Sequence, residues 1–232
     1  MSASLLDSQP LWIGITLGSY VVSVFLAQRL FRANPLANPV LLAIALLCLL
    51  VHMSGIAPQR YLALSQPLIF LIGPATVCLA LPLWRFRTLL KLLIWPVVGA
   101  LFVGCLVAYF STIVLSHLIG FGPQLTMSLA SRATTAPVSM ALAQIRGGSP
   151  VIAMLAVLVS GIVGAVSLTL VTRILRIKDP EAIGFTAGLS AHAVGVTRAL
   201  QLGETEAAFA SVGMLLNALA TSALVAMIML LG

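Results

Sequence analysis

A chain of 232 residues that is 61% hydrophobic and only 7% charged cannot cover itself with a polar surface; a soluble domain carries about 25% charged residues. With a mean hydropathy of +1.16, its natural solvent is lipid. The net charge of +7 is dispersed in short clusters beside apolar runs, which is the pattern of membrane topology and argues against a nucleic-acid partner.

Apolar segments follow one another with short loops between them. The first, 11–30, is preceded by Asp7 alone and followed by no small-residue cleavage pattern, so it reads as a transmembrane helix rather than a removable leader. Arg29 and Arg32 close it, and Asn34-Pro35 and Asn38-Pro39 break the chain. Segment two is 40–56, ending at Ala57-Pro58. Segment three is 67–84, interrupted by Gly73-Pro74 beside Thr76 and read as kinked there; Arg85, Arg87 and Lys91 follow. Segment four is 92–119, segment five 123–145 and segment six 151–174, with Arg173, Arg176 and Lys178 at its end. Segments seven and eight are 180–202 and 207–230. Cys48, Cys78 and Cys105 each lie inside an apolar run and read as small packing residues. No Cys/His ligand spacing occurs in the sequence, so neither a metal nor another cofactor is expected.

Basic clusters belong in the cytoplasm. That rule puts the N-terminus outside and the Arg85, Arg87, Lys91 cluster inside. If segment five crossed fully, segment six would deliver Arg173, Arg176 and Lys178 to the outside. The conflict disappears if segment five is a re-entrant hairpin turning at Ala136-Pro137. Non-helical backbone at that depth requires a surrounding of protein or a water-filled cavity.

Segment seven has the same layout. A shift of 57 residues sets Pro123 on Pro180, Ala130 on Ala187, Ala136 on Ala193 and Gln144 on Gln201. Ala153 then falls on Ala210 and Leu158 on Leu215. The expectation is an all-α polytopic membrane protein with about six spanning helices and two re-entrant or broken segments, arranged as an inverted repeat. It would be a single integral membrane domain: N-terminal helices over 1–122, then repeat-related units over 123–178 and 180–232.

The chemistry concentrates in the two interrupted segments. An arginine at the bilayer centre costs about 2.5–3.5 kcal/mol or more, yet Arg132 and Arg198 stand in segments five and seven with no acid beside them. The five acids, Asp7, Asp179, Glu181, Glu204 and Glu206, all lie at segment ends. Two unpaired cations near half-helix ends suit a small organic anion; snorkelling to a hairpin mouth is the alternative. Thr134, Thr135, Ser139, Ser190 and Thr197 either line a polar pocket with Pro137 or make ordinary helix–helix hydrogen bonds. His192 marks the expected break of segment seven, as a donor to a carboxylate or as a bond to freed backbone. Gly188 and Gly195 permit a turn or close packing; Gly161 and Gly164 read as packing residues, and Asn217 faces either the cavity or a neighbouring helix, with packing the favoured reading. No nucleophile–base pair, paired carboxylates or phosphate loop is present, so no enzyme is expected.

The stretches T-T-A-P-V-S-M-A at 134–141 and A-G-L-S-A-H-A-V-G-V-T-R-A at 187–199 resemble the two signature regions of the LrgB/CidB family. The likeness extends over nearly the whole chain, including Q-P at 66–67 and L-P-L-W at 81–84. The chain departs from the family pattern where Ala136 stands between the threonines and Pro137, and where Val196-Thr197 precedes Arg198. The resemblance implies an inner-membrane protein made beside a smaller LrgA/CidA-type partner. It implies either carriage of a small monocarboxylate of the pyruvate, glycolate and glycerate class, or holin- or antiholin-like modulation of murein hydrolase export and lysis. By residue, it carries over onto Thr134, Thr135, Pro137, Ser190, His192, Gly195 and Arg198. A carrier needs the polar content of segments five and seven; a lysis modulator acting as a homo-oligomer needs only small-residue interfaces.

Overall fold

The computed structural model describes residues 7–30, 39–71, 74, 77–78 and 80–231. Among them are twelve helices and no strand: α1 Gln9–Leu30, α2 Pro39–Ser54, α3 Pro58–Leu64, α4 Gln66–Phe70, α5 Ala80–Arg85, α6 Arg87–Leu92, α7 Ile94–Ile119, α8 Pro123–Ala130, α9 Ala136–Ile145, α10 Pro150–Ile174, α11 Pro180–Leu200 and α12 Glu204–Leu231. The all-α polytopic expectation holds. Four helices, α1, α7, α10 and α12, are each long and apolar enough to cross a membrane alone; α2 and α3, bent by 113°, make a fifth candidate span. Of the sequence expectations, Arg32, Asn34-Pro35, Asn38 and the Gly73 and Thr76 interruption lie outside the described residues.

Two compact units divide near residue 80. In the first, Trp12 of α1 is 1% exposed and packs edge-on against Tyr61 of α3, with ring centroids 5.6 Å apart. Thr16 and Tyr61 share a 3.1 Å hydroxyl contact, and Arg60 pairs with Asp7 at 3.0 Å.

The second unit holds both interrupted segments. Its long helices turn Trp95, Phe102, Val107, Val114, Val159 and Leu170 outward, while Thr112, Thr126, Ser128, Ser139 and Asn217 are buried. That inversion suits a lipid surround. Segment five breaks at Ser131–Thr135 and folds back. Ser131 and Ser139 hydroxyls meet at 3.0 Å across the turn. The Ser149 N–H then donates to Ser128 Oγ at 2.7 Å. Ser128 stands only about 8 Å along α8 from its first residue, so the chain leaves the hairpin beside the place where it began.

Segment seven doubles back as well. α11 is two half-helices joined at His192, whose φ of 40° and ψ of −128° are non-helical. Gly195 consequently lies against the Ala187 carbonyl, a contact that a straight helix would hold about 12 Å apart. The positive φ falls on the histidine itself, and Gly188 and Gly195 serve close packing instead.

Each hairpin is met at its mouth by the residues that follow it. Gly148 and Ser149 rest on Ser128 in the first, and Glu206 rests on Gly184 in the second. Gly188 then meets Ala210, four residues further along both helices, so the first half of α11 and the start of α12 run parallel in backbone contact. α10, about 37 Å long, runs between the mouths of the two hairpins. Both basic clusters gather at one end of this unit. Arg85 lies 3.7 Å from Glu204, and one cavity of about 420 Å³ is lined both by Leu89 and Leu93 and by Asp179 and Glu181. This is the arrangement that a re-entrant segment five requires.

In a chain freed of its native cysteines and sealed in vesicles, Gly122→Cys and Gln144→Cys should react with an impermeant maleimide from one side. Lys178→Cys and Leu202→Cys should react from the other. Labelling of Gly122→Cys and Gln144→Cys from opposite sides would mean that segment five crosses.

Candidate functional site

The site is read most easily along α10. Ser160, ten residues into that helix, accepts from Arg132 at 3.1 Å, and Thr112 of α7 accepts from the same guanidinium at 3.0 Å. At the next residue, Gly161, an added Cβ would come 2.6 Å from the His192 ring. One turn on, Gly164 makes room for Ala191. Thr169, near the basic end, accepts from Arg198 at 3.0 Å, and Gln201 accepts from Arg198 at 2.7 Å. The glycines are thus the slots into which the tip of the second hairpin fits, and the hydroxyls hold the arginines.

Among the described residues the ion pairs are Arg60–Asp7 and Arg85–Glu204, so both hairpin arginines are bonded to neutral oxygens. Arg198 Nε is buried without a partner. So is His192 Nε2, in a residue only 3% exposed, although the Arg132 backbone lies close by. The two guanidiniums are not in one place. Their anchors on α10 are nine residues apart, which is about 14 Å along the axis and two and a half turns, hence opposite faces. Arg132 belongs to mid-depth and Arg198 to the neighbourhood of the basic end.

The remaining predicted residues divide in the same way. Thr134, 1% exposed, donates to the Ser131 carbonyl at 3.0 Å and steadies the turn. Ser139 is fully buried against Ser131. Thr135 occupies the N-cap position of α9 without a side-chain cap, and Pro137 sits exposed in the first turn, so first-turn N–H groups are left without side-chain acceptors. Ser190 and Thr197 donate to the carbonyls of Thr186 and Val194 in their own half-helices. Gly195 is a packing position against Ala187.

Sequence reasoning undervalued Asn217. Its Nδ2 donates to the Ala133 carbonyl at 2.6 Å and to the Leu189 carbonyl at 3.0 Å. It therefore touches both hairpins at once. Thr112, Ser160 and Thr169 also escaped notice, because a hydroxyl in a long apolar helix gives no signal until its partner is known.

The sequence that folds in this way matches one known family. The LrgB-like family matches the chain over residues 16–231, and the chain belongs to that family. The holin-like protein CidB of Staphylococcus epidermidis is 27% identical over 95% of this chain and 96% of its own length. The protein YwbG of Bacillus subtilis is 29% identical over 91% of this chain and 95% of its own. The holin-like protein CidB of Staphylococcus aureus strain Mu50 is 26% identical over 91% and 93%. No solved structure matches the chain.

The slots can be tested directly. Gly161→Ala and Gly188→Ala force a methyl onto the His192 ring and onto the Ala210 backbone. Each should destabilise the protein by about 1–3 kcal/mol, read as a lowered melting temperature in detergent. Gly99→Ala, with open space around it, should not. Equal behaviour of all three would mean that the seams are not close-packed.

Proposed function

We propose that this LrgB-family membrane protein is a secondary carrier of a small monocarboxylate, of the pyruvate, glycolate and glycerate class, working by alternating access. The observation that carries the reading is a pair of opposed hairpins, each bearing an arginine that is bonded to hydroxyl and amide oxygens and to no carboxylate. A guanidinium held this way in a low-dielectric interior keeps its charge uncompensated, and an arriving carboxylate compensates it. Broken helices meeting near the middle of a repeat are where carriers place their substrates.

The deep site is the region of the tips. Arg132 offers the charge, His192 Nε2 an unused polar atom, and the first turn of α9 its free backbone donors, with Thr134, Thr135, Pro137 and Ser139 shaping the turn. Arg198, with Thr197 on the returning half of the second hairpin, attends the basic end, and Ser190 and Gly195 flank the tip. A small monocarboxylate meets one guanidinium at a time, since the two stand on opposite faces of α10. The positive-inside rule makes the basic end cytoplasmic and the N-terminus external in an inner membrane. A smaller LrgA/CidA-type membrane protein is the partner to test alongside.

The name of the staphylococcal relatives, holin-like protein, favours a second reading, in which the chain assembles with itself and modulates murein hydrolase export and lysis. Uptake of labelled pyruvate, glycolate and lactate into vesicles containing the chain alone separates the two. The carrier reading predicts saturable uptake that Arg132→Ala and Arg198→Ala abolish and that His192→Ala reduces. Absence of uptake by folded protein, with and without the small partner, would favour the assembling reading.

A further inference from the structure

Both helix breaks free a backbone carbonyl at depth. In the first hairpin the Ala133 carbonyl lies in the 131–135 turn. In the second, the break at His192 takes away the helical partner of the Leu189 carbonyl. An unsatisfied carbonyl in a low-dielectric interior is costly. One side chain answers both. Asn217, 1% exposed and near the middle of α12, gives its two N–H groups to these two carbonyls. Thr221, one turn on, donates to Asn217 Oδ1 at 3.5 Å and meets Cys105 of α7 at 3.4 Å, so the amide orientation is itself supported.

The rest of the contact between the hairpins and the frame is unequal. The second hairpin is joined to α12 by backbone-to-backbone packing at Gly184, Gly188 and Gly213. The first hairpin has no such backbone seam with α12: it meets that helix through the bond from Asn217 to Ala133 and through side-chain packing of Ala130 and Leu142 in a cluster with Leu224 and Val225. A hydrogen bond breaks and reforms at far smaller cost than an interdigitated backbone seam.

We infer that Asn217 is a positioning residue that latches the tips of the two hairpins together, and that its bond to the Ala133 carbonyl is the one released when the anion passes. The inference rests on the carrier reading for its functional part. An amide is the residue type this role needs: serine, threonine or a buried neutral aspartic acid brings one donor, and leucine leaves both carbonyls bare.

Hydrogen exchange by mass spectrometry, on wild-type protein in nanodiscs beside Asn217→Asp and Asn217→Ser, tests the latch without transport. Asn217→Asp should speed exchange about tenfold in peptides covering 131–135 and 189–193, the loss expected when a buried carbonyl loses its donor. Exchange in α10 should be unchanged, and Asn217→Ser, which also brings one donor, should speed exchange in the same tip peptides. Vesicle uptake of pyruvate should show kcat down about tenfold in Asn217→Asp with KM within about twofold, as for a residue that acts on the conformational step. Unchanged exchange at the tips, or a rise spread through every helix, would overturn the latch. If Asn217→Asp does not fold, Asn217→Ser decides on the same readouts. Tip-confined exchange with no uptake even by wild type would sink the carrier reading and leave the latch standing.

Discussion

A break in a helix at membrane depth exposes backbone groups that water cannot reach, and everything near the centre of this fold answers that constraint. The first break is closed by its own hydroxyls, Thr134 on the Ser131 carbonyl and Ser131 on Ser139. The second is closed from outside, by Asn217, which takes in the first as well. The hydroxyls on α7 and α10 extend the same logic to the arginines, which find oxygen but no opposite charge. Guanidiniums held by neutral oxygens keep their charge unpaired, a state suited to a visiting anion.

Close packing supplies the frame on which the breaks are held. Ala187, Ala199 and Ala210 are fully buried with Leu168, and glycines line the seam between α11 and α12. Without a hydrophobic effect between helices, small residues that let backbones approach are the main source of cohesion. On α10 the same device becomes specific: Gly161 and Gly164 accept the hairpin tip that carries His192 and Ala191. Packing and site are therefore built from the same residues.

Much of this was legible in the sequence, and the reasons are particular. The re-entrant path of segment five followed from Arg173, Arg176 and Lys178, whose charges allow only one side, and those residues do share an end with Arg85 and its neighbours. The break of segment seven followed from the polar residues around His192, and the starts of both segments from Pro123 and Pro180, each of which begins a helix. What stayed hidden was the pairing across elements. Asn217 looked like a packing residue because its partners are carbonyls 84 and 28 residues away. Arg132 and Arg198 looked like one site because segments five and seven look alike, whereas their anchors fall at different heights on α10. The turn at His192 looked like the work of glycines, and the histidine took the strained conformation itself.

Alternating exposure of the hairpin tips is the central claim, and it can be observed without measuring net uptake. Ala193 follows the break of the second hairpin and is exposed. In sealed vesicles of uniform orientation, with the native cysteines replaced, Ala193→Cys should react with an impermeant thiol reagent added to either side, and pyruvate should slow both reactions. Reaction from one side alone, at a rate that no monocarboxylate alters, would contradict the account.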